Sequence, residues 1–313
     1  DFMQASWDVE EVQAKGIQHL ASFVKDKSAF PYLLTCTEVI TLAMKTHIDS
    51  LDLHVEGCTL LLEILSQALE QGVMMALDES VASCLLHTVR KHSENEEFLS
   101  RLCTSLMMVS ASEVAAENLR KVGIIPDLLS ILRRFLHNDE ICLSCCAVLW
   151  SLAVSENNAD QAVLASAVPV TSAVLQEHLQ NGVVAESACS ALWALALHGC
   201  LTDSDYEPTA ALLLDALRMN PERTVLVKNG CLALASLVRL SETAALAILL
   251  HSKGSGIELI KDEYHLHFDE PGVAEALCLL MNEMVQYDEV MLNMRSQKME
   301  KLLCEIKLQF PFS

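Results

Sequence analysis

The sequence is short of the residues that break helices. Its 313 residues include 10 Gly and 7 Pro, and aromatic side chains make up 5%. So few turn formers and aromatics argue against a strand-and-turn architecture. They leave an Ala/Leu/Val-rich mixture that favours helix. Basic residues are also in deficit: 21 Lys and Arg stand against 42 Asp and Glu, a formal charge of -21. Such a chain repels phosphate backbones, so nucleic acid is not an expected ligand, whereas a partner carrying a basic patch is favoured at long range. No apolar run reaches the roughly 18 residues that a bilayer span needs, so no membrane partner is expected. The first residues, DFMQASWDVEEV, are acidic and lack the apolar core of a signal peptide. Asp1 opens the chain without a Met, as a piece of a longer protein would.

Catalytic and phosphate-binding motifs are missing as well. There is no G-x-S-x-G, no G-x-x-x-x-G-K-[ST] and no G-x-G-x-x-G, and the run Lys253, Gly254, Ser255, Gly256 is too short for a phosphate loop. The expectation is therefore a protein that is not an enzyme, with no catalytic residue, no cofactor and no metal.

What is present is a repeat. ICLSCCAVLWSLAV, starting at Ile141, falls on VAESACSALWALAL, starting at Val184, when moved forward by 43 residues. With Cys146 as position zero, apolar residues recur at -5, +3 and +6 around seven centres: Ile17, Cys58, Cys103, Cys146, Cys189, Cys231 and Cys278. Those offsets mark one face of a helix. Their return every 41 to 47 residues marks a solenoid, in which each unit buries its face on its neighbours. The same pattern explains the 12 Cys. Cys142, Cys145 and Cys146 lack a second ligand pair at zinc spacing and sit in apolar helix, where Cys acts as a small hydrophobe. A reducing compartment follows, the cytoplasm in the first instance, with the nucleus left open.

Between the anchors, Asn118 to Leu132 reads NLRKVGIIPDLLSIL. Gly123 suits the left-handed turn that ends a helix, and Pro126 suits the first turn of the next. Asn118, Arg120, Gly123, Ile125, Pro126, Leu128 and Leu129 resemble the armadillo consensus, with some units closer to the related HEAT class. The resemblance implies an all-α fold: a right-handed α-solenoid of about seven armadillo/HEAT-like repeats forming one domain over residues 1–313. Its first repeat, near 1–30, is irregular. A capping helix is expected near 289–309, with Phe310, Pro311 and Phe312 beyond it, and residues 252–270 are expected to form a loop that interrupts a helix.

In that family the third helix of each repeat lines a concave groove that receives a partner. If the anchors mark that helix, +1, +5 and +8 face the groove. The nuclear-import adaptors of the family carry Trp at +1 and Asn at +5; this chain has neither, so nuclear-signal binding is not implied. The expected groove comprises Ala147, Trp150, Ser151, Val154, Ser190, Trp193, Ala194, Leu197, Leu232 and Ser236. Its expected occupant is a protein segment, an apolar helix or extended stretch with a basic flank. For Trp150 and Trp193 the alternative is packing between repeats.

Two other functions stay open at this level. The chain also resembles the helical-repeat tail of a serine/threonine kinase-like protein, which implies a regulatory tail whose kinase or pseudokinase domain lies outside these residues. A metal site could also form from His265 and His267 with Asp269 and Glu270, against the simpler expectation of a solvated loop.

Overall fold

The computed structural model describes residues 2–26, 28–71 (without the Leu69 side chain), 79–154 and 161–310. Every regular element among them is an α-helix. Asp1, Pro311 and Phe312 lie outside the described residues. The chain divides into two compact units, Asp1–Asn157 and Asn158–Ser313.

The first unit contains α1 (Phe2–Ala5), α2 (Glu10–Ala21), α3 (Phe30–Leu34), α4 (Thr37–Thr46), α5 (Leu51–Glu70), α6 (Glu79–Lys91), α7 (Glu96–Ser110), α8 (Glu113–Lys121), α9 (Ile125–Arg134) and α10 (Asp139–Val154). Its anchor segments form α2, α5, α7 and α10, and these pack in that order, each on the next. A second row, α4 on α6 and α6 on α8 and α9, lies against them. The second unit contains α11 (Gln161–Ala165), α12 (Ala167–Glu177), α13 (Gly182–Leu197), α14 (Tyr206–Met219), α15 (Thr224–Leu240), α16 (Glu242–Leu249), α17 (Gly256–Leu266), α18 (Pro271–Met284), α19 (Asp288–Ser296) and α20 (Met299–Gln309). Here the anchor helices α13, α15 and α18 stack in turn, and α12, α14, α16 and α19 make the other row.

The periodic positions are the ones that hold these stacks together. In α5, α7, α10, α13, α15 and α18 the residues at -5, +3 and +6 are all buried. Each fully buried Leu or Val contributes about 1.5–3 kcal/mol relative to an exposed one. The first segment departs from this: Ile17 is buried, Val12 and Leu20 are half-buried, and Phe23 is exposed. Polar groups add specificity. His54 of α5 is fully buried, with Nε2 donating to the Met44 carbonyl at 2.9 Å and Nδ1 2.8 Å from Thr88 Oγ1. Burial first, and the nearby His92 second, depress its pKa to about 4, so the ring is neutral.

Helix starts follow capping chemistry. Asn95 Oδ1 accepts from Phe98 N at 2.9 Å, and Asn138 Oδ1 accepts from Ile141 N at the same distance. Asn181 repeats the motif for α13. All three stand at -8 of their anchors, and each satisfies an amide that the helix leaves open. Gly123 adopts φ 77°, as its place after α8 requires, and Ile124 N reaches back to Leu119 O.

Two expectations need correction. Residues 252–270 are mostly helix, since α17 covers Gly256–Leu266. Gly254, at φ 124°, makes the turn, and Ser255 caps the new helix by accepting from Ile257 N at 3.2 Å. The C-terminal stretch forms two helices where one was expected, because Lys298 takes a left-handed conformation, φ 58°, that interrupts the hydrogen-bond ladder between α19 and α20.

Candidate functional site

The acidic ends of the stacked helices define the clearest surface feature of the first unit. Position -6 is Glu11, Asp52, Glu97 and Glu140 on α2, α5, α7 and α10. On a helical wheel, -6, -2, +1, +5 and +8 fall within roughly 80° of one another, so this row continues the face expected to line the groove. A cleft of about 700 Å³ opens along it, bordered by Glu11, Gln18, Asp52, Glu56, Glu97 and Arg101. A neighbouring cleft of about 420 Å³ reaches Glu140.

Several of these carboxylates bridge adjacent helices. Glu56 Oε1 accepts from Gln18 Nε2 at 2.7 Å, and Glu140 Oε2 accepts from Ser100 Oγ at 2.6 Å. Arg101 is the cation of the larger cleft, and it pairs with Glu97 at 2.8 Å between two exposed side chains. Lys15 likewise pairs with Glu11 at 2.6 Å, and the lining of the larger cleft still sets five carboxylates against the one cation Arg101. Anchor-based reasoning passed over this row because it asked only for apolar residues. A search for a recurring carboxylate at -6 would have found it.

Trp150, Ser151 and Val154 meet at the other end of α10. Together with Ser110, Ala111, Glu113 and Ala116 they line a cleft of about 530 Å³. Trp150 is 39% exposed and Val154 47% exposed, while Ala147 and Ser151 are half-buried. Ser151 Oγ donates to the Ala147 carbonyl at 3.2 Å, so its own helix already occupies that hydroxyl.

The second unit treats its expected groove residues differently. Leu197 is 48% exposed, and Ser190, Trp193 and Leu232 are half-buried. Ala194 and Ser236 are buried in the core, a correction to their expected surface placement. The small +5 side chains of α13 and α15, Ala194 and Ser236, lie where α13 packs on α15 and α15 on α18, and Ser236 Oγ donates to Leu232 O at 2.9 Å. Ser190 Oγ accepts from Asn229 Nδ2 at 2.8 Å, and Arg223 Nη2 reaches Glu186 Oε2 at 2.9 Å. This face is therefore cross-linked by polar rungs and carries no carboxylate row: -6 reads Val183, Val225 and Gly272.

The cysteine run is packing. Cys142, Cys145 and Cys146 are fully buried. Cys145 Sγ lies 3.5 Å from Cys103 Sγ, and that contact, followed by burial, holds the Cys145 thiol well above its ordinary pKa. Burial likewise raises Cys84 to about 11 and Cys189 to about 12. These thiols stay protonated, which suits neither a nucleophile nor a metal ligand.

His265 and His267 are not brought together on a loop. His265 is exposed on α17, whereas His267 is buried, with Nε2 donating to the Pro221 carbonyl at 2.7 Å. Among the described residues no group of three or more His, Cys, Asp or Glu could hold a metal ion. Nor is any described helix long and apolar enough to cross a membrane. No protein-family model matches the chain.

Proposed function

We propose that this chain is a non-enzymatic protein-interaction module, an armadillo/HEAT-like solenoid whose first unit holds a segment of another protein. The segment's basic residues lie against the -6 carboxylates, and an apolar side chain enters the cleft at Trp150 and Val154. The observation that carries this reading is the row itself. Four consecutive stacked helices present a carboxylate at one register, on the face that also bears the Trp150 cleft.

The division of labour follows from the physics. A row of like charges raises the local potential and speeds encounter with a basic segment. Affinity then comes from the few buried apolar contacts, for which an exposed Trp is a favoured anchor. A reducing compartment fits the 12 cysteines, none of which is joined in a disulfide among the described residues.

The test compares proximity labelling in cells by the wild-type chain, by Glu97→Lys/Glu140→Lys and by Trp150→Ala. The same set of partners should be lost from both variants, with thermal melting confirming that each remains folded. Charge reversal at two helix starts costs about 0.3–1 kcal/mol each, small enough to leave the fold intact. Identical partner sets for all three proteins would refute the proposal.

A further inference from the structure

Glu263 is an anomaly in the second unit. It stands on α17 with 2% of its surface exposed, and its Oε2 is enclosed without a hydrogen-bond partner. His267 Nε2 lies 3.8 Å away, but that nitrogen donates to Pro221 O. An unpartnered buried carboxyl is expensive, and an apolar side chain would fill the position without that cost. Burial, with the charge of Asp262 second, pushes its pKa up to about 8, so at neutral pH it is mostly protonated.

Glu263 is one of the residues that border a cavity of about 320 Å³. One wall is the face of α17 that carries Glu258, Asp262 and Glu263, and the other comprises Arg218, Pro221 and the turn at Lys253. Glu258 and Asp262 are exposed at the mouth. The two cations of the wall are already engaged. Arg218 Nη2 donates to Gly254 O and Nη1 to His251 Nδ1, each at 2.6 Å, and Lys253 Nζ pairs with Asp215 Oδ2 at 2.7 Å. The cavity therefore offers three carboxyls and no free cation to meet them. Its volume is at the small end for a binding pocket, suited to one side chain.

We infer that this cavity receives a single basic side chain of another protein, a Lys ammonium or an Arg guanidinium, seated against Glu263 with Glu258 and Asp262 at the entrance. The seated cation supplies the partner that Oε2 lacks and favours the ionised carboxylate, so binding at neutral pH expels the Glu263 proton into solvent. Asp262 on the same helix, His267 at its end, Cys231 on α15, Arg218 on α14 and Lys253 before α17 are the titratable groups around it. No charged group of α16 or α18 contributes to its shift. The site lies outside the carboxylate row of the first unit, and its test uses neither that row nor Trp150, so the two proposals fail separately.

The experiment titrates the full chain at pH 7 with the peptides acetyl-Gly-Arg-Gly-amide and acetyl-Gly-Lys-Gly-amide. Binding is followed by calorimetry in two buffers of different ionisation enthalpy and by the NMR amide shifts of α17. At least one peptide should bind with release of close to one proton. Glu263→Gln, which keeps the shape, should weaken it by about tenfold or more and abolish proton release. Asp262→Asn, at the exposed rim, should weaken binding less and leave the release intact. Equal binding by Glu263→Gln, no saturable binding of either peptide up to about 10 mM, or saturation by inorganic phosphate in their place would overturn the inference.

Discussion

Glu263→Gln also tests the environment of that carboxyl without any ligand. In an unfolded chain a Glu titrates near 4.5, and in the folded protein burial moves this one to about 8. Between those values the folded state retains a proton that the unfolded state has released. Stability contributed by the protonated carboxyl is thus fully present below pH 4.5 and is lost as the pH rises through 8. Each pH unit inside the window removes about 1.4 kcal/mol, so the wild-type chain loses about 2.5 kcal/mol at this site between pH 5.5 and 7.5. The amide cannot titrate and shows no such loss. Denaturant unfolding of both proteins at four or five pH values gives the difference profile, in which titrations common to both largely cancel. Amide exchange within α17 reads the same quantity locally if the chain does not unfold in one step. A difference that stays flat across pH 5.5–7.5, or a wild-type chain that gains stability relative to the variant as pH rises, would refute the reasoning. So would a carboxyl carbon resonance of Glu263 that titrates near 4.5.

Two further predictions follow from the core. His54, depressed to about 4 by burial, contributes stability that is present above pH 6.5 and lost as pH falls through 4, at about 1.4 kcal/mol per unit; NMR should find its ring neutral at pH 5.5, and a protonated ring there would contradict the assignment. Leu234→Ala, at a fully buried +3 position of α15, should cost about 2–5 kcal/mol in denaturant unfolding, whereas Leu250→Ala, 74% exposed, should stay within about 0.5 kcal/mol.

The parts of the fold legible in the sequence are those that one local rule determines. An apolar residue at -5, +3 or +6 must be buried for its helix to stack, so Leu149, Leu192 and Leu234 could be placed from spacing alone. Gly123 was legible because its left-handed turn suits Gly better than any other residue. The misplacements have a common cause, in that local signals were extended beyond their range. Gly254, Ser255 and Gly256 are genuine breakers, but the turn occupies only the residues up to Ser255, and α17 then runs through charged residues whose composition suggests a loop. Ala194 and Ser236 lie near the edge of the buried arc, where the approach distance of neighbouring helices decides exposure, and no single-helix pattern contains that distance. Lys298 gives no local warning of its left-handed backbone, since it is neither Gly nor Asn. Glu263 carries no local sign of its burial, because only the packing of α17 encloses it.

The carboxylate row poses a sharper question, since acids in the first turn of a helix have an ordinary explanation. They complement the helix dipole for about 0.3–1 kcal/mol each, and that alone could account for Glu11, Asp52, Glu97 and Glu140. The second unit supplies the control within the same chain. Its stacked helices α13, α15 and α18 have no acid in the first turn. They are nevertheless long, buried on the same register and packed in the same sequence of neighbours. An Asn cap serves α13, and Pro at the first position serves α18. Helix formation in this architecture therefore does not require the carboxylate. The row is present on all four anchor helices of one unit and absent from all three of the other, so stacks of this kind form without it. That contrast supports the proposal that the first unit's face, and not the second's, receives a positively charged segment.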